Sequence, residues 1–209
     1  EIASCLVGSE MCIRDRLLAA LEMGKDAIVL ASGMSAATAT FMTLKSGDHV
    51  VVQAVMYWAI KKWLEGFANK WGISVDFFDP EDISNLKKLI RPGETKLVWI
   101  ETPANPIFSC VDIEEVAKIV KGSGARLCVD STIATPILTR PIELGADVVM
   151  HSATKYLNGH GDVTAGVLIT AREDEWWDQI RDIRSSHGKI LSPSDTSVSY
   201  THLTLPTKA

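Results

Sequence analysis

AIVLASGMSAATATFMTL, residues 27–44, sets a short apolar strand against a helical stretch with a single glycine at the joint. Ala27–Ala31 is an apolar run of strand length, and Ser32-Gly33 interrupts it. A helix is expected from Met34 to Leu44, closed by Lys45-Ser46-Gly47. The same alternation recurs downstream. Strands are expected at His49–Gln53, Ile73–Phe78, Lys96–Ile100, Arg126–Asp130, Asp147–His151 and Ala165–Thr170. Helices are expected at Trp58–Trp71, Asp82–Ile90, Ile113–Lys121 and Asp174–Arg184. Strands that alternate with helices of about ten residues imply an α/β fold, a mostly parallel sheet with helices on both faces.

The 209 residues have room for one or two domains and a sizeable core. Hydrophobic residues make up 46% and charged residues 22%, an ordinary globular balance. A formal charge of −5 gives no electrostatic reason to expect nucleic acid as a partner. No apolar run reaches membrane-spanning length, so no membrane partner and a cytoplasmic location are expected. The four cysteines form no C-x-x-C pair. Cys110 and Cys128 adjoin apolar segments and are expected to be reduced thiols acting as small hydrophobes.

Residues 1–16 (EIASCLVGSEMCIRDR) and 196–209 (TSVSYTHLTLPTKA) carry no sustained period. They look like translated adaptor sequence and are expected to be non-native ends around a domain at 17–195.

In parallel α/β sheets ligands bind beyond the carboxyl ends of the strands. The polar residues expected there are Ser32-Gly33-Met34, Tyr57, Glu101 to Asn105, Asp130 and Ser152 to Lys155. Gly33 opens a helix, whose free N–H groups suit a phosphate; a tight turn would also require this glycine. In His151-Ser152-Ala153-Thr154-Lys155 two hydroxyls can donate to an anion, and a neutral lysine can form an imine with an aldehyde. The alternative is a solvated lysine beside a capped turn. Asp130 ends a buried run and wants a cationic partner such as a pyridinium nitrogen, or else it caps the turn that follows. The Tyr57 ring can stack on a flat cofactor and its hydroxyl can relay protons. Trp63, Phe67 and Trp71, at helical spacing, are expected in the core or an interface. His151, His160 and Asp162 match no common zinc spacing, and no metal is expected. Gly122-Ser123-Gly124 lacks the third glycine of a dinucleotide fingerprint and precedes a strand.

Together these segments resemble the Cys/Met metabolism family of pyridoxal-phosphate (PLP) enzymes, of cystathionine γ-synthase and γ-lyase type. The matching stretches are ALEMGKDAIVLASGMSAAT (20–38), ETPANP (101–106), VDSTIATP (129–136), HSATKYLNGHGDVTAG (151–166) and IRDIRSSHGKILSPSD (180–195). The resemblance implies the large domain of the aspartate aminotransferase-like PLP-dependent transferase fold (fold type I). It implies that Lys155 holds PLP as a Schiff base and that Asp130 pairs with its ring nitrogen. Gly33, Met34, Ser152 and Thr154 would hold the phosphate, Tyr57 would stack on the ring, and Asn105 would lie near the phenolic oxygen. Lys155 and Tyr57 are the implied catalytic residues. The implied chemistry is γ-elimination or γ-replacement on cystathionine or an O-acylhomoserine, with β-lyase and sulfhydrylase activities in the same family. The implied partners are a small amino-acid substrate and further copies in a homotetramer that shares its active sites.

This sequence departs from the family in three respects. Trp58-Ala59 follows the tyrosine where relatives have Gly-Gly or Gly-Cys, which makes methionine γ-lyase activity less expected. Ser131 stands where Asn is common. The resemblance also covers about half of a family chain and omits an N-terminal arm and a C-terminal domain. The 209 residues alone are therefore expected to bind PLP weakly and to turn over poorly.

Overall fold

The computed structural model describes residues 13–204. Expectations for residues 1–12, with Cys5 and Cys12, and for residues 205–209 lie outside that range. Helix α1 occupies residues 13–21. It is followed by β1 (Asp26–Leu30), α2 (Gly33–Phe41), β2 (His49–Gln53), α3 (Trp58–Trp71), β3 (Ser74–Phe78), α4 (Ile83–Leu89) and β4 (Thr95–Glu101). Then come α5 (Ile113–Val120), β5 (Arg126–Asp130), α6 (Thr135–Leu138), β6 (Val148–His151), β7 (Gly166–Thr170), α7 (Glu175–Ser186) and α8 (Pro193–Thr204).

Seven strands form one sheet in the order β1-β7-β6-β5-β4-β2-β3. Strands β2 to β6 pair in parallel, whereas β7 runs antiparallel to both β6 and β1. The reason lies in the connection. Residues 152–165 contain no crossover helix, so the chain stays at the end of the sheet where β6 stops and must come back the other way. His151 and Val167 are register partners, as are Leu30 and Gly166. The start of β7 therefore meets the carboxyl ends of β1 and β6.

Strand residues alternate strictly between two apolar layers. Leu30, Val50, Val52, Leu97, Trp99, Met150 and Leu168 face a layer that includes α2, α3 and α7. Val29, Val149 and Val167 turn the other way and pack with α1. Val51, Val98, Ile100 and Val129 pack with α4 and α5 on that second face. Helices thus cover both faces, and no described helix is long and apolar enough to cross a membrane.

The structure corrects several local expectations. Helix α2 begins at Gly33 because the Ser32 hydroxyl accepts the Ser35 N–H at 3.0 Å, and it closes at Met42 rather than Leu44. Helix α6 is too short to show periodicity, and α8 extends into residues set aside as a tail. Trp63 and Phe67 stack at 4.7 Å against the core, whereas Trp71 is 59% exposed at the helix end, which excludes the core for it and leaves the expected interface untested. Cys110 is exposed and not buried like Cys128, because it follows the turn closed by the Ala104–Ser109 bridge and points outward.

Candidate functional site

All eight residues singled out from the sequence (Gly33, Met34, Tyr57, Asn105, Asp130, Ser152, Thr154 and Lys155) line one cavity of about 770 Å³. It lies where β1, β4, β5 and β6 end and β7 begins. Phe108, Tyr156, His160 and Thr164 contribute further walls.

One side of the cavity is a cradle of backbone. Gly33 and Met34 open α2, so their N–H groups are among the donors that a helix leaves without internal partners. A Cβ on Gly33 would stand 2.7 Å from Ser152 Oγ, so the glycine is what lets the loop after β6 approach the helix. Gly166 does the same from behind: its Cβ would stand only 2.1 Å from the Ser32 carbonyl oxygen. Thr154 is engaged on arrival. Its hydroxyl accepts the Ala165 N–H at 2.9 Å and donates to Ala165 O at 3.0 Å. Ala165 O also receives the Thr154 N–H at 3.0 Å, so the hydroxyl proton can swing toward an anion without orphaning that carbonyl.

The opposite side is acidic. Asp130, at the end of β5, is 5% exposed. Its Oδ1 accepts both the Thr132 N–H at 3.0 Å and the Thr132 hydroxyl at 2.6 Å. Thr132 Oγ1 in turn accepts the Ser152 N–H at 2.8 Å, which ties the acid to the cradle. Burial pushes the Asp130 carboxyl up from its usual range, against the Thr132 hydrogen bonds and the nearby His151. Glu101 ends β4 beside it. Its Oε2 accepts the Tyr57 N–H at 2.6 Å, and its Oε1 accepts the Asn105 N–H at 2.8 Å. Burial first, and the Asp130 charge second, push Glu101 up to about 7. Two desolvated acids side by side make this wall a place for a cation.

Tyr57 caps α3 without a side-chain cap bond, and its ring is tilted against that of Trp58 at 6.1 Å. Trp58 itself is 67% exposed. Lys155 is exposed to the cavity, and its nitrogen makes no hydrogen bond among the described residues. The loop that carries it is held by Lys155 N–H to Ser152 O at 3.0 Å and Gly159 N–H to Lys155 O at 2.9 Å. Beneath it His151 is buried against Glu22, with Nε2 2.6 Å from Oε1. Among the described residues no cluster of His, Cys, Asp or Glu is arranged to hold a metal.

Reading the sequence assigned no role to Glu101, Thr132 or Gly166. Each carried a signal. Glu101 is an acid ending an apolar strand, as Asp130 is; Thr132 follows an acid by two residues, a turn pattern; Gly166 opens a strand, where close approach is the common reason.

A profile of the family described as Cys/Met metabolism PLP-dependent enzymes matches residues 12–203. The chain is 40% identical over 182 residues to a cystathionine gamma-lyase of Bacillus subtilis (strain 168), an alignment that covers 87% of this chain and 48% of that protein. It is 38% identical over 178 residues to a probable cystathionine gamma-synthase of Herpetosiphon aurantiacus, covering 85% and 55%. It is 39% identical over 182 residues to an L-methionine gamma-lyase of Pseudomonas putida, covering 87% and 46%. The crystal structure of metB from Corynebacterium glutamicum superposes with a TM-score of 0.88 at 35% identity, covering 93% of this chain and 50% of that one. The chain thus spans about half the length of the relatives it matches.

Proposed function

The chain belongs to the Cys/Met metabolism family of PLP-dependent enzymes, and from that membership we propose that it carries the cofactor-binding half of a carbon–sulfur lyase or transferase. The reading rests on one observation. Eight residues drawn from five separate stretches of sequence converge on a single cavity with an anion cradle at one side and a cation-seeking acid at the other.

The residues present fit PLP. Gly33, Met34 and Ser152, with Thr154 once its proton swings, would hold the phosphate. Asp130 would hold the ring nitrogen, since the buried carboxyl regains its charge when a cation faces it. Tyr57 would stack on the ring, Asn105 would lie near the phenolic oxygen, and Lys155 Nζ would bind the aldehyde carbon. When bound, PLP supplies the electron sink that stabilises negative charge at the α-carbon of an amino acid. Once an incoming substrate amine has displaced it from the aldehyde carbon, Lys155 Nζ would be a free amine able to take the α-proton and return it further along the substrate, with the Tyr57 hydroxyl as a second carrier toward the leaving γ-substituent.

The whole protein is proposed to perform γ-elimination or γ-replacement on cystathionine or an O-acylhomoserine, as a cytoplasmic homotetramer with active sites shared between subunits. The 209 residues alone are a poor catalyst in this reading, because bidentate capture of the substrate carboxylate is assigned to a part of the relatives that lies outside the match. Residues 1–16 and 196–209 are proposed to be non-native. Two measurements test the function. Borohydride reduction after incubation with PLP should fix the cofactor on Lys155 and on no other lysine. A substrate panel on the full-length protein (cystathionine, O-acylhomoserines, methionine and cysteine) should then separate lyase, synthase and sulfhydrylase.

A further inference from the structure

We propose that Glu101 is a positioning residue, which fixes where Tyr57 and Asn105 stand relative to each other at the wall of the cofactor pocket. The inference rests on the PLP reading above and adds to it a residue that touches neither the phosphate nor the ring nitrogen.

The argument is one of hydrogen-bond accounting. Tyr57 and Asn105 lie in irregular backbone: Tyr57 precedes the first residue of α3, and Asn105 follows β4 in a turn. Neither N–H can be satisfied by a strand or helix partner. Both are satisfied by one carboxylate, Oε2 taking Tyr57 at 2.6 Å and Oε1 taking Asn105 at 2.8 Å. Glu101 is in turn held firmly. It is the last residue of β4, it is 5% exposed, and its own N–H donates to Gln53 Oε1 at 3.2 Å. Gln53 ends β2, and its Nε2 donates to Val55 O at 2.8 Å, two residues before Tyr57. The distance between the tyrosine and the asparagine is therefore set by the span of one rigid carboxylate anchored in the sheet. Hydrogen bonds to a charged acceptor are short and directional, which suits such a clamp. Glutamine at this position offers one acceptor oxygen in place of two, so one of the two N–H groups must lose its partner. Aspartate keeps the charge but is one methylene shorter and cannot reach both.

The test uses the full 209-residue chain with pyridoxal phosphate. Wild type, E101Q and E101D are compared by far-UV circular dichroism and urea unfolding, by the borohydride-trapped Lys155 adduct, and by the visible circular dichroism of the bound cofactor. Visible dichroism per bound cofactor reports ring orientation, which mere loss of stability would not change. The expected result is that E101Q folds cooperatively and still forms the Lys155 adduct. Its visible dichroism per bound cofactor should fall to half or less, and its PLP affinity should weaken about tenfold, as for one lost charge-assisted hydrogen bond. E101D should not restore either property. A folded E101Q with wild-type dichroism and affinity overturns the proposal while the PLP reading stands. A chain in which neither variant folds shows Glu101 to be a structural residue and also overturns it. A wild-type chain that takes no PLP on Lys155 overturns the PLP reading itself, and this inference with it.

Discussion

Glu101 and Asp130 are register partners at the ends of β4 and β5, two carboxyl groups side by side, each about 5% exposed. Neither forms an ion pair among the described residues, and both are held above the ordinary carboxylate range, chiefly by burial. The wall they form is unfavourable in the folded chain when both are charged, and a cation bound against it would relieve it.

Stability without cofactor should therefore fall as pH rises. Glu101 has a usual value of 4.5 and sits at about 7 in the fold, so the folded chain keeps a proton that the unfolded chain has released. Its contribution is complete below pH 4.5 and is lost as pH climbs to about 7. A shift of this size corresponds to roughly 3 kcal/mol. Urea unfolding at pH 5 and pH 8 should show a smaller fall for E101Q than for the wild type. An equal fall in both would mean that Glu101 ionises normally.

Replacing Lys155 with alanine should abolish the borohydride-trapped PLP adduct and the visible absorbance that accompanies it. The side chain is exposed and makes no hydrogen bond among the described residues, so unfolding free energy should change by less than about 0.5 kcal/mol. An adduct that survives in K155A would move the attachment to another amine.

Thr132 links the acid to the cradle through one hydroxyl, donating to Asp130 and accepting from the Ser152 N–H. Thr132→Val keeps the shape and removes both bonds. It should destabilise the chain by about 1–3 kcal/mol and weaken PLP, because the Ser152 N–H loses its partner and Asp130 keeps only the Thr132 N–H. Thr132→Ser should recover most of both. Equal behaviour of the valine and serine variants would show that the hydroxyl is idle.

Two glycines should respond differently to alanine. At Gly166 the new methyl meets the carbonyl oxygen and carbon of Ser32 and the Gly33 nitrogen, all backbone. At Gly33 it first meets the Ser152 side chain. G166A should lose about 3 kcal/mol or more, beyond the usual overpacking penalty at a site with no movable neighbour. G33A should keep more stability and lose PLP capture, since it pushes Ser152 away from the phosphate cradle. The order of the two unfolding midpoints checks this directly.

Much of this arrangement was legible in the sequence because it is written locally. The apolar run at 27–31 followed by Ser32-Gly33 marks the strand-to-helix turn, and the residues after β6 announce themselves by composition. What was not legible depends on partners far along the chain. Apolar alternation in 165–170 reveals a strand but not its direction, which follows from the missing crossover helix. Glu101 reads only as a strand end, because its partners are backbone N–H groups, which every residue but proline has. Helix α6 is a single turn and has no period to read. The exposure of Cys110 depends on the turn that Ala104 and Ser109 close, and neighbouring apolar residues do not encode it.

The reversal of β7 has a mechanical consequence. Because His151 and Val167 are paired across the sheet, the segment that carries Lys155 leaves and re-enters the scaffold at adjacent points. Both feet of that arch are clamped, so reshaping it moves the amine through torsions within the arch alone. Residues can be added to its crown, or removed from it, without shifting the pairing of any strand. The reach of the lysine can thus be tuned while the platform beneath it stays fixed.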